Sequence, residues 1–405
     1  MYLLINIFGI LVFLGIAFLF SKKKLEIQWR AIVTLVALNV FLSWFLTQFS
    51  VGTEIVRAAA AGFTGLVDVA YIGIGFAMPS WVHVQQMDFI TSALLPILLI
   101  VPLFDILTYI GLLPWVIKWI GRAFSFISGQ PKFESFFAIE MMFLGNTEAL
   151  AVSSLQLNHM KMERNLTLAM MSMSCVTASI IGAYTKMMPA AFVLTAIPLN
   201  VINAVIVASL LHPVKVSPEE DTVARLGASN ENDTEKKEKE PFFSFLGNSI
   251  LGAGRLILII LANVIAFVAL AALADKLLML IYPSLTLEAI LGTILFPFAW
   301  LMGLPANEAY LFAQYMGTKL ITNEFVVMLN VSPIIDTFSP HFQATLTVFV
   351  TSFANFSTLG MIIGAFKGLV GPEKNDYLSR NVAYLLLSGV LVSLLSAATI
   401  GLFIW

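Results

Sequence analysis

Residues 143–152 read FLGNTEALAV, and their reading decides the fold. Phe143, Leu144, Ala149, Leu150, Ala151 and Val152 suit hydrocarbon or a packed core, yet Gly145, Asn146, Thr147 and Glu148 stand in a row among them. A carboxylate in apolar surroundings is costly unless it has a partner or a task. The surroundings here are apolar throughout: of 405 residues, 59% are hydrophobic and 11% charged, against roughly 45–50% and about 25% in soluble domains. Mean hydropathy is +0.92. Such a chain belongs in a bilayer as an all-α polytopic protein. A net charge of -2 offers nothing to nucleic acid. The single cysteine, Cys175, excludes an internal disulfide and argues against a cysteine metal site, and no P-loop, HExxH, GxGxxG or GxSxG motif is present.

Outward from that stretch, eight apolar runs are long enough to span as helices, near 2–20, 31–49, 89–110, 165–185, 190–211, 247–273, 341–366 and 378–405. The first lacks a preceding basic residue and is followed by Lys22, Lys23 and Lys24, the reverse of a signal peptide, so it reads as a retained helix with its N-terminus outside. Residues 114–128 mix Trp, Phe, Lys and Arg at helical spacing, as in an interfacial helix. Residues 213–241 are polar, end in EKKEKE and read as a cytoplasmic loop. Two apolar pieces, 134–158 and 306–331, carry polar clusters at their centres. If both enter the membrane and turn back, every basic residue except Arg57, Lys186, Lys276 and Lys319 falls on the cytoplasmic side. If either crossed fully, the sorting would collapse. The expectation is two opposed re-entrant hairpins, with both termini extracytoplasmic.

An internal repeat supports this. Residues 114–212 and 285–405 each open with an amphipathic or apolar piece, then give a hairpin, a span with small polar residues at its middle, and a final span. Glu134 and Glu308 start the hairpins; Glu148 and Glu324 sit at their centres. Because the hairpins enter from opposite sides, the repeat is inverted, an arrangement characteristic of secondary transporters. The expected parts are 1–113 (three scaffold spans and an extracellular segment), 114–212 (first transport repeat), 213–241 (loop), 242–284 (scaffold span) and 285–405 (second transport repeat).

Irregular backbone at membrane depth survives only where protein or a water-filled cavity covers it. A Gly-Asn-Thr turn can make it, and intramembrane carboxylates are functional candidates by default. The alternative is that one of them caps a half-helix or pairs with Lys319. Asn355, Ser357 and Thr358 in SFANFSTLG correspond to Cys175, Thr177 and Ser179 in the first repeat, suggesting paired broken or polar-lined helices. The implied cavity offers Glu148 and Glu324, amides and hydroxyls, with Phe353 and Ile180 as walls. Carboxylates accept from paired hydroxyls and Phe stacks on a ring, so a nucleoside fits, and a sugar less well. A membrane-embedded hydrolase would need a nucleophile or metal that no motif supplies. Asp105, inside the third span, fits either a polar contact among scaffold helices or a pairing between subunits.

The motifs GNTE (145–148), SIIGAY (179–184), TKLITNEFVVM (318–328) and SFANFSTLG (352–360) resemble those of the concentrative nucleoside transporters over nearly the whole chain. The resemblance implies a homotrimer in the cell membrane, a scaffold, an elevator-type transport domain, and import of a nucleoside with a cation, without an enzymatic step or resident cofactor. It places Asn146, Thr147 and Glu148 toward the nucleobase with Ile180 as an apolar contact. Glu324, Asn355 and Thr358 fall toward the ribose, with Phe353 beside them. Two departures shape expectations. Asn146 stands where the family's usual pattern has Gln; the shorter side chain leaves room for a purine, and the chain resembles a branch of bacterial purine-nucleoside carriers. Met141 stands where sodium-coupled members place Asn, and a thioether is a poor ligand for hard sodium. The expected coupling ion is therefore a proton, with Glu148 or Glu324 accepting it, and sodium is the alternative.

Overall fold

Residues 1–84, 87–145, 149–150, 152–217, 220–221, 240–283 and 285–405 are described by the computed structural model, and among them the chain is all helix, turn and loop. In chain order the helices used below are α1 (Tyr2–Leu19), α2 (Trp29–Thr47), α3 (Ser50–Ala77), α4 (Ile97–Tyr109), α5 (Leu112–Ser128), α6 (Lys132–Leu144), α7 (Ser154–His159), α8 (Met162–Ser172), α9 (Ala178–Met187) and α10 (Ala190–Leu211). They continue with α11 (Phe242–Met279), α12 (Leu287–Trp300), α13 (Ala306–Ile321), α14 (Glu324–Val331), α15 (Pro340–Val350), α16 (Phe356–Leu369), α17 (Pro372–Arg380) and α18 (Val382–Ile400).

Seven described helices are long and apolar enough to cross a bilayer. Six answer to spans read from the sequence. The seventh, α3, occupies residues the sequence reading treated as an extracellular segment. The two remaining expected spans are each broken: α8 and α9 are separated at 173–177, and α15 and α16 at 351–355. The repeat is plain in the element order, since α5–α6–α7–α8/α9–α10 is followed by α12–α13–α14–α15/α16 and, after the short α17, α18. α5 packs on α6 as α12 packs on α13.

What lies inside follows from side-chain chemistry. α10 and α18 are the most buried spans. Where they meet α2, Asn39 Nδ2 donates to Asn203 Oδ1 (3.0 Å) and Thr399 Oγ1 (3.1 Å), and Asn203 Nδ2 donates to Ser396 Oγ (3.0 Å). Between helices already in hydrocarbon, such bonds and close packing, rather than apolar attraction, specify the pairing. α11, in contrast, shows Leu251, Leu258 and Ile265 at seven-residue spacing, each more than 60% exposed, an apolar stripe suited to lipid. Its 38 residues span about 57 Å, so it exceeds the hydrocarbon core. Asp105, undecided in the sequence, makes a contact within the chain: its Oδ2 accepts from Ser249 Oγ, tying α4 to α11. Trp29, Trp44, Trp115 and Trp119 are all exposed, as suits tryptophans of the aromatic belts at the membrane interfaces.

Candidate functional site

The turn of the second hairpin and the two helix breaks place three capped helix starts around one space. α13 ends at Ile321, Asn323 is extended, and its Oδ1 accepts from Val326 N at 3.1 Å, so α14 restarts with Glu324 in its first turn. In the same way Asn355 Oδ1 accepts from Thr358 N at 2.8 Å and starts α16. Thr177 accepts from Ser179 N at 3.4 Å and starts α9. Asn and Thr are good N-caps because a short side-chain oxygen reaches a free N–H. In the first hairpin, α6 stops at Gly145 with φ 88°, a backbone angle open to glycine and strained for larger residues.

These three helix starts line a cavity of about 320 Å³, whose far wall is α11. Ile180, Glu324, Phe353, Asn355, Ser357 and Thr358, all read from sequence as site residues, border it. Asn146, Thr147 and Glu148 lie outside the described residues, so the facing of Glu148 and Glu324 does too.

Glu324 is 4% exposed. Tyr184 Oη donates to its Oε1 at 2.9 Å and Asn355 Nδ2 to its Oε2 at 3.0 Å. The positive end of the α14 dipole adds to these donors. This explains how a carboxylate is held at membrane depth: two repeats supply its partners, α9 from one and the α15–α16 break from the other. Lys319 is not that partner. Its Nζ donates to Phe349 O (2.6 Å) and Ser393 Oγ (3.2 Å), 4.3 Å from the Phe349 ring centroid. It thereby occupies the carbonyl end of α15.

Several site residues escaped the sequence reading. Tyr184 lay within a quoted motif, but helix phase alone did not show that its hydroxyl reaches across to another repeat. Asn323 was visible as the residue before Glu324, without its capping role. Asn248, Ser249 and Asn263 reach the cavity from α11; their signal was polar residues sharing one face of an apolar span. In the first repeat, Met141 is fully buried and its Sδ accepts from Ser172 Oγ at 3.2 Å, while Cys175 Sγ donates to Met171 O at 3.4 Å. Around the entrance to the first hairpin, Arg164 clamps Glu134 with two bonds of 2.8 Å, both residues buried. Arg164 also donates to Glu220 O at 3.1 Å. Lys161 lies 2.6 Å from the Glu220 carboxylate and, by bonding to it, holds it below the usual carboxylate range.

Comparison with known proteins gives the arrangement its family. Models described as the N-terminus and C-terminus of the Na+ dependent nucleoside transporter match residues 8–81 and 192–401. The purine nucleoside transport protein NupG of Bacillus subtilis is 47% identical, over the full length of both chains. The nucleoside permease NupC of Helicobacter pylori is 26% identical over 99% of this chain and 98% of its own. The fold matches the solved transporter CNTnw in an inward-facing substrate-bound state, with TM-score 0.90 at 23% identity over 100% of this chain and 98% of that one. It matches an outward-facing variant of the same protein with TM-score 0.91 at 23% identity, over 100% and 99% of the two chains. The chain thus belongs to the concentrative nucleoside transporter family, as a multi-pass membrane nucleoside transporter and not an enzyme.

Proposed function

We propose that the chain is a secondary active symporter that imports nucleosides, purine nucleosides preferred, with a proton as the coupling cation. The observation that carries this is the cavity where Glu324, held by Tyr184 and Asn355, stands beside Phe353 and Thr358. A carboxylate and an amide at this spacing accept and donate to neighbouring ribose hydroxyls, and the phenyl ring and Ile180 take the flat base. No cation lines the cavity among the described residues, so it suits a neutral solute. Purine preference rests on the shorter Asn146 and on the name of the B. subtilis relative. Proton coupling rests on Met141, a soft ligand at the position where a sodium ligand is expected. We further infer a homotrimer in the cell membrane, with both termini extracytoplasmic. In it α4 and α11 belong to a fixed scaffold, and the two repeats move as an elevator.

The test is uptake in vesicles with sodium and pH varied independently. Unlabelled guanosine and inosine are expected to displace labelled inosine at least tenfold better than uridine or cytidine. Uptake is expected to follow an inward proton gradient without sodium. Equal displacement by pyrimidine nucleosides refutes the purine preference. Uptake that requires sodium and ignores a proton ionophore refutes the proton.

A further inference from the structure

By sequence, Glu148 and Glu324 are the candidates for the coupling proton, yet a third carboxylate fits that task better. Glu140 lies on α6, a little more than one turn before Gly145, and is 1% exposed. Its Oε2 accepts from Ser153 Oγ at 3.0 Å. Ser153 is itself buried and follows Gly145 in the chain, so this bond joins the stretches on either side of residues 146–148. Among the described residues Glu140 has no other hydrogen bond and no ion pair.

Among the described residues, the charged groups on the elements packed around α6 are all engaged or exposed elsewhere. On α6 itself, Glu134 is clamped by Arg164 and Lys132 faces Asp221. On α5, Lys118 and Arg122 are exposed, and Arg122 lies over the Trp119 ring. On α8, Arg164 is committed to Glu134, and Glu163 is partly exposed near the helix start. On α9, Lys186 pairs with Asp68 at 3.5 Å. α10 carries no charged residue. Among the described residues, an ionised carboxylate sealed between these elements would have one neutral donor and no counter-charge, a costly arrangement. Glu324, by contrast, has two donors and faces the substrate cavity.

We propose that Glu140 is the coupling-proton site of the symporter, an inference that rests on the proton-symport reading above. With a proton on the free carboxyl oxygen, the arms of the first hairpin close dry through the Ser153 bond. The repeats then cross the membrane without carrying a buried net charge. On the cytoplasmic side water enters between the arms and the carboxyl releases its proton to that water; the repeats then return empty, the ionised group kept hydrated between the open arms, and Glu140 takes a new proton from outside. One proton moves inward per cycle, and no other bond is made or broken.

The test uses the intact chain in liposomes and two assays of labelled inosine. One is accumulation driven by an inward proton gradient; the other is exchange against internal inosine, which needs no net proton movement. Glu140→Gln keeps the shape and removes the titration. It is expected to lose proton-driven accumulation at least tenfold while still exchanging. Accumulation by this variant equal to wild type overturns the assignment and leaves the symport reading standing. A wild-type protein indifferent to the proton gradient overturns both. If Glu140→Gln fails to exchange, Ser153→Ala decides. Removing the one donor to the ionised form is expected to move the pH profile of uptake upward by roughly half a unit or more. An unmoved profile in that variant overturns the proposal.

Discussion

Tyr184 shows how a single side chain organises this site. It is fully buried, it packs edge-on against Phe325 at 5.2 Å between centroids, and its hydroxyl orients Glu324. Tyr184→Phe keeps the ring packing and deletes the donor. A hydrogen bond to a charged group contributes about 1.5 kcal/mol or more, so nucleoside binding is expected to weaken about tenfold while the melting temperature changes little. Equilibrium binding of inosine to the purified variant checks this; unchanged affinity would mean Glu324 needs no such orientation. Individual residues were legible in sequence where chemistry clashed with surroundings. Glu324, Asn355 and Thr358 stood out because polar groups in hydrocarbon need a reason. Tyr184 did not, because a tyrosine in an apolar helix is unremarkable until its partner on another element is known. Glu140 was passed over for a related reason, since it stands among Phe and Met residues without the small polar neighbours that drew attention to Glu148.

At the scale of elements, the first hairpin is fastened at its entrance by the Arg164–Glu134 pair and at the exit of α7 by Lys374. The Lys374 Nζ donates to the carbonyls of Leu157, Asn158 and Met160 at 3.1, 2.6 and 2.7 Å. A cation at a helix C-terminus satisfies carbonyls that have no intrahelical donor. Breaking one side of a buried ion pair leaves an uncompensated charge and costs roughly 3–5 kcal/mol. Arg164→Met is therefore expected to lower the thermal midpoint of the detergent-solubilised protein clearly. Combining it with Glu134→Leu should recover a large part of the loss, because the orphaned carboxylate is then gone. A double variant as unstable as the single one would contradict this account of the pair. The sequence showed Glu134 at the hairpin start but not its partner, since pairing across thirty residues depends on how α6 and α8 pack. The breaks in the two polar spans were legible because Thr, Ser and Asn cluster where each chain unwinds. α3 was not, because its scattered charges, Glu54, Arg57 and Asp68, masked a continuous apolar helix.

For the whole molecule, the order of elements followed from apolar run length and the repeat, while the meeting of three helix starts at one cavity needed the tertiary structure. The 213–241 segment reads from sequence as one polar cytoplasmic loop, and the structure divides it. Glu220 and Asp221 bind Lys161, Arg164 and Lys132 at the first hairpin. Replacing 222–239 with a short Gly/Ser linker is expected to leave inosine uptake within about twofold of wild type. A tenfold loss would give that polar stretch a role in transport. The central claim is that nucleosides bind in the cavity built around Glu324, and proton-driven inosine uptake by Glu324→Gln in liposomes tests it most directly. The amide cannot accept as a carboxylate does, and two charge-assisted bonds together are worth about 3 kcal/mol. The variant is expected to lose roughly 100-fold in kcat/KM, and uptake equal to wild type would contradict the assignment of this cavity as the nucleoside site.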